Sequence, residues 1–140
     1  MLALMGNKIK KWQKDQRGQS LIEFTLVLVF VFIPLLFGIF EFGRIFGGNL
    51  VVSHAAREGA RAGVVSLENE RVNAVEAAVM NNAFFLDISD EDIDIQGAGG
   101  EPGDSLSVQV TYDMDLIVPD VLDVIPNPIE LEGQAVMRIE

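Results

Sequence analysis

The sequence contains no cysteine, and its lysines stop at Lys14. Without a thiol there is no disulfide frame, no thiolate metal site and no cysteine nucleophile. Histidine occurs once, as His54, and the chain has no Gly-x-Ser-x-Gly, phosphate loop or His-x-x-x-His pair. Carboxylates are plentiful, but no pair of them is set by spacing into a recognisable cleft. These absences lead to the expectation of no enzyme, no catalytic residue, no cofactor and no metal. Positive charge is scarce as well: 10 Lys and Arg stand against 21 Asp and Glu, a formal net charge of −11. Such a balance leaves no broad basic surface for a phosphate backbone, so nucleic acid is excluded as a partner. At 140 residues the chain supports one compact domain at most.

The average charge conceals a split. Residues 1–18 hold five Lys and Arg against one Asp, a net of +4, whereas residues 19–140 hold five Arg, no Lys and twenty acids, a net of −15. Between Glu23 and Glu41 lie 17 residues without a charge. At 1.5 Å rise per residue they span roughly 26 Å as a helix, the short end of a membrane crossing. A buried core helix this apolar on every face would need a larger protein around it than the remaining residues provide. The positive-inside rule then places the basic start in the cytoplasm and the acidic remainder across the membrane. A cleaved secretory signal fits poorly, because the first small-x-small site, Ala60-Arg61-Ala62, falls some twenty residues past the apolar run.

The junction reads Arg17-Gly18-Gln19-Ser20-Leu21-Ile22-Glu23-Phe24. A carboxylate at the edge of hydrocarbon is costly unless paired or neutralised. Cleavage after Gly18 would create an α-amino group at Gln19 and make Glu23 the fifth residue, one helical turn further on. This arrangement resembles type IV prepilins, whose peptidase cuts after the Gly of a short basic leader. The resemblance implies a processing site at Gly18 and Gln19. It also gives Glu23 an assembly role, with its charge meeting the terminal amine of a neighbouring subunit.

Further on the chain reads Ile39-Phe40-Glu41-Phe42-Gly43-Arg44, then His54-Ala55-Ala56-Arg57-Glu58-Gly59-Ala60-Arg61-Ala62-Gly63, and it closes with Ala135-Val136-Met137-Arg138-Ile139-Glu140. These blocks are similar to those of the TadE-like family, minor pilins or pseudopilins of tight-adherence (Tad, Flp-type) pilus systems. The likeness extends from the leader to the last residue. It implies as partners a prepilin peptidase, other pilins or pseudopilins, Tad assembly components and membrane lipid, in a homo- or hetero-oligomer. It places the protein in a bacterial cytoplasmic membrane as a single pass, N-terminus inside and C-terminus outside, or in an extracellular pilus.

The expected fold is α+β and membrane-anchored. It comprises a leader over 1–18, a transmembrane helix over 19–46, a helical region over 47–86 and an antiparallel sheet region over 87–140. Pro34 and Gly47-Gly48 mark expected kinks or hinges. Ala56, Gly59, Ala60 and Gly63 place small residues four apart, which lets either another helix or the chain's own domain approach closely. Arg57 and Arg61 share a stripe, and Glu58 has Arg61 and His54 within helical pairing reach. Ser66 is the expected N-cap of a second, amphipathic helix carrying Val72, Val75, Val79, Ala83 and Leu86 on its apolar side. Strands are expected over 92–96, 105–118 and 129–139, with Leu106, Val108, Val110 and Tyr112 alternating inward. The helix is expected to lie on one face of this sheet.

Asp90, Asp92, Asp94 and Glu101 fall at positions 1, 3, 5 and 12 of a calcium loop, but Ile95 stands where that loop needs Gly, so the cluster reads as a solvated acidic edge. Two functions remain in view. One is a processed minor pilin or pseudopilin that helps assemble an adhesive Tad-type filament. The other is an uncleaved, single-pass envelope protein whose outer domain serves a secretion apparatus as an interaction module.

Overall fold

A computed structural model describes residues 18–117 and 127–140. Residues 1–17 of the expected leader, the last residue of the strand expected over 105–118, and residues 119–126 of the loop expected after it lie outside the described residues. The chain divides into two units, residues 1–40 and 41–140.

The first unit is helical throughout its described part, the beginning of a helix that runs Gly18–Val65 (α1). Every residue from 18 to 40 is exposed, the condition in which an all-round apolar helix is solvated by lipid instead of water. Pro34 does not break it. A π turn at Leu28–Phe32 precedes the proline, with the Ile33 N–H bonded to the Leu28 carbonyl. Proline has no N–H to donate and its ring crowds the carbonyl one turn back. The wider turn just ahead of it accommodates both defects without ending the helix.

The second unit combines the rest of α1 with α2 (Arg71–Asn82) and three strands, β1 (Ile93–Gln96), β2 (Ser105–Met114) and β3 (Ile129–Arg138). The strands form an antiparallel sheet in the order β1-β2-β3. The fold is thus α+β, with one long apolar helix, a second helix and a small antiparallel sheet. Period-2 alternation sends Leu106, Val108, Val110 and Met114 of β2, and Leu131, Gly133 and Ala135 of β3, to one face. Tyr112 is only half-buried. Against this face pack Val52, Ala55, Ala56, Ala60 and Val64 of α1 together with Val75 and Val79 of α2. The opposite face is polar, with Gln109 bonded to Glu132 and Gln134 to Ser107 across the strands.

Three details differ from expectation. Gly47-Gly48 lies inside α1, and Gly48 is buried against Met114 and Leu131, a packing position instead of a hinge. Ser66 does not cap α2, which begins at Arg71; the Ser66 hydroxyl donates back to the Ala62 carbonyl at 2.7 Å and so helps end α1. Val72 is exposed, and the buried stripe of α2 is Arg71, Val75 and Val79, at spacings of four. Ala83 and Leu86 are buried beyond the helix end, in the turns that lead to the sheet.

Candidate functional site

Gly18, Gln19 and Glu23 occupy the start of α1. Among the described residues nothing lies within 4 Å of the position a Gly18 side chain would take. The Gln19 side-chain amide donates to the Glu23 carboxylate at 3.2 Å, one turn on, and both residues are exposed. The one carboxylate at this end of the uncharged run is therefore satisfied locally, by a group on its own helix. Two residues on, the Thr25 hydroxyl donates to the Leu21 carbonyl at 2.8 Å, which satisfies that hydroxyl within the helix as well.

The other end of the run is handled differently. Glu41 is buried; its carboxylate accepts from the Arg44 guanidinium at 2.7 Å and from the Ile117 amide at 3.4 Å. Arg44–Glu41 is the one ion pair within 4 Å among the described residues, so Glu58 pairs with neither Arg61 nor His54. Arg57 and Arg61 point to solvent, and His54 stacks instead on Phe84, ring centroids 6.4 Å apart.

Ala56, Gly59, Ala60 and Gly63 of α1 are all buried within their own unit. A methyl added at Gly59 would stand 2.6 Å from a Val79 methyl and 3.3 Å from Val75, and one at Gly63 would stand 2.5 Å from Leu106 and 2.6 Å from Val75. Ala56 and Ala60 are fully buried beside them. The helix that these residues admit is α2 of the same chain, together with β2. At Gly133 the approach is closer still. The Val52 carbonyl and the Ser53 nitrogen would each lie 2.7 Å from a Cβ there, so β3 meets the backbone of α1 directly.

Sequence reasoning passed over Arg71. Its guanidinium is buried and donates to the carbonyls of Gly63 (3.1 Å), Gly100 (3.1 Å), Ser66 (3.5 Å) and Ala98. These acceptors come from the end of α1 and the β1–β2 loop, so one cation serves the negative end of a helix dipole and ties the loop to it. A signal was available: Arg71 falls in register with Val75 and Val79 on the inward stripe.

The acidic residues fitted to a calcium loop do not converge. Asp92 caps Ser89 through both its amide and hydroxyl, Asp94 accepts from Gln96, and the Glu101 amide is bonded to Asp104. Among the described residues no three His, Cys, Asp or Glu side chains gather as metal ligands would.

No curated protein and no solved structure matches the chain. Residues 18–61 match the family model described as TadE-like protein. That span is shorter than the likeness expected from the sequence, and it takes in Gly18, Glu23, the uncharged run, Glu41–Arg44 and the small-residue block. An apolar helix long enough to cross a membrane and this match together mark a membrane-anchored protein, TadE-like over residues 18–61.

Proposed function

We propose that this protein is a minor pilin or pseudopilin of a Tad-type pilus, processed by a prepilin peptidase after Gly18 and built into an assembly instead of catalysing a reaction. The observation that carries the reading is the start of α1. Among the described residues nothing crowds Gly18, which is followed by Gln19 and, one turn later, by a carboxylate that accepts from the Gln19 side chain. Cleavage between Gly18 and Gln19 would free an amine one turn from that carboxylate. The pair could then neutralise each other or meet the complementary groups of a neighbouring subunit within lipid. The match of residues 18–61 to the TadE-like family model supports a part in Tad pilus assembly. In this reading the basic leader faces the cytoplasm and the acidic domain faces outward.

The test is the intact mass and N-terminal residue of the native protein, taken from membranes and from sheared surface material, beside a Gly18→Arg variant. A mature chain beginning at Gln19 in the wild type and absent in the variant is expected, with the mature form present in sheared filaments. Retention of the leader with unimpaired pilus formation would sink the reading and leave an uncleaved envelope module in its place. Glu23→Ala should be processed normally yet fail to enter filaments.

A further inference from the structure

The uncharged run of the sequence ends at Glu41, inside the transmembrane helix expected over 19–46. The structure removes that charge from the surface: the Glu41 side chain is 8% exposed and is held by Arg44 and the Ile117 amide. The next residue, Phe42, is 70% exposed, and Phe46 and Leu50 follow it on α1 at spacings of four, both exposed. The Phe42 and Phe46 rings stack 6.3 Å apart. Beyond Glu41, α1 thus presents an apolar stripe on one face for two turns.

A second element flanks that face. Phe85 lines one cavity with Gly43 and Gly47, and Phe84 lines another with Leu50 and His54, which sets the turn after α2 beside these turns of α1. Phe84 and Phe85 are 71% and 73% exposed. Phe84 is the one non-glycine among the described residues with positive φ, at 53°. Left-handed backbone is strained for a bulky residue, and such outliers persist where surrounding structure imposes them for use. Here the strained residue gains no burial within its own fold.

We propose that Phe42, Phe46, Leu50, Phe84 and Phe85 form one membrane-inserting patch, so that the outer domain rests on the lipid surface through the α2 turn. The occupant is lipid, because the patch begins one residue after Glu41, directly along the chain from an uncharged run that is exposed at every position. Aromatic side chains suit the boundary of headgroups and acyl chains. Charge bounds the patch: Arg57 lines the cavity of Leu50 and Phe84, and Arg44, Asp113 and Asp115 line that of Phe85, which limits how deep the turn inserts. The inference rests on the membrane-anchored reading, and the test separates the two.

Single-tryptophan chains made in a Trp12→Phe background carry Val29→Trp, Phe46→Trp, Phe85→Trp or Val136→Trp. Each is reconstituted into phosphatidylcholine vesicles, with or without lipid brominated on its acyl chains, at a lipid excess that keeps the chains apart. Val136 is exposed on the polar face of the sheet and reports on a site away from lipid. The expected result is quenching at positions 46 and 85 at least about threefold that at 136, with strong quenching at 29, as insertion to the acyl boundary requires. Quenching at 46 and 85 no greater than at 136, with position 29 quenched, would overturn the proposal and leave the anchor intact. No quenching at 29 would overturn the anchored reading itself. Blue-shifted emission at 85 that bromine does not quench and that grows with protein-to-lipid ratio would show a second copy covering the patch, and would equally overturn the proposal.

Discussion

Gly133→Ala isolates the closest approach in the fold. The new Cβ would stand 2.7 Å from the Val52 carbonyl carbon and oxygen and from the Ser53 nitrogen, where ordinary contact begins at 3.4 Å. These are backbone atoms of α1, which no rotamer change can move, so helix and strand must separate by about 0.7 Å, a gap that forfeits a quarter to a half of each contact's dispersion energy. Val52, Ala55, Ala56 and Ala60 sit on that face, all fully buried, so the loss is repeated across the whole interface. Overpacking of this kind costs about 1–3 kcal/mol, and the rigidity of the obstacle places Gly133→Ala at the upper end, about 3 kcal/mol. For a unit of this size that is a fall of roughly 12–24 °C in melting temperature. The assay is thermal unfolding of the full chain in detergent, followed by circular dichroism. Gly43→Ala and Gly47→Ala serve as controls, because among the described residues nothing lies within 4 Å of either position. Replacing a helical Gly by Ala gains up to about 1 kcal/mol, so these controls should melt at or above the wild type. A Gly133→Ala chain melting within about 2 °C of wild type, a shift worth under 0.5 kcal/mol, would refute the close approach of β3 to α1.

Gly59→Ala and Gly63→Ala meet methyl groups of Val79, Val75 and Leu106 instead of backbone, and the helix-propensity gain offsets part of the clash, so each should cost about 1 kcal/mol in the same melt. Arg71→Ala leaves the carbonyls of Gly63, Ser66, Ala98 and Gly100 without their donor; a loss of about 3 kcal/mol is expected, and hydrogen exchange should show the 97–104 loop opening first. Phe84→Gly relieves the left-handed backbone of an exposed residue and should raise stability by about 1 kcal/mol in detergent, since the strain is worth about 1–3 kcal/mol and little packing is lost. Glu41→Gln keeps one acceptor oxygen where Arg44 and the Ile117 amide each use a separate one, so it should lower the melt by about 1 kcal/mol, while Glu41→Leu, which removes both bonds, should lower it further.

The sequence made the regular parts of this fold legible because each rests on a period. An uncharged run as long as a bilayer core, β2 with its strict alternation, and a small-residue block with residues four apart all carry their geometry in their spacing. What spacing leaves undecided is which partner a face meets. Gly59 and Gly63 form a small-xxx-small pair, as do Gly43 and Gly47, but only the first pair is filled, by Val75, Val79 and Leu106, which lie far along the chain. Arg71 and Glu41 were harder to place for the same reason. A charge in sequence reads as exposed, and both of these are buried because distant backbone supplies their hydrogen bonds: four carbonyls for one, the Ile117 amide for the other. The N-cap assigned to Ser66 misread a local signal, since a Ser near a helix boundary can bond backward to the helix that is ending as readily as forward to the one that begins.

Glu41 shows how far such a misplacement reaches. A membrane boundary is drawn where the first uncompensated charge stands, and its position decides which side chains must tolerate water. Counted from sequence, the hydrocarbon run stops at residue 40 and spans roughly 26 Å, short of the 30 Å of a typical bilayer core. With Glu41 turned into its own domain and paired, the stop is no longer a property of the whole helix circumference. One face, at Gly43, Arg44 and Gly47, lines a cavity with Phe85, Asp113 and Asp115 and meets charge from the first turn; the other, through Phe42, Phe46 and Leu50, is apolar for two turns more. Those two turns add roughly 11 Å of apolar length at 5.4 Å per turn, enough on that face to make up the deficit. A helix with unequal hydrophobic lengths on opposite faces accommodates a bilayer by tilting toward its longer side. Replacing Phe46 and Leu50 together by Ser should therefore shorten the lipid-protected stretch on that face alone, leaving Val29 as buried in lipid as before. Equal loss of protection on both faces of α1 in a scan of single-tryptophan positions would refute this asymmetry.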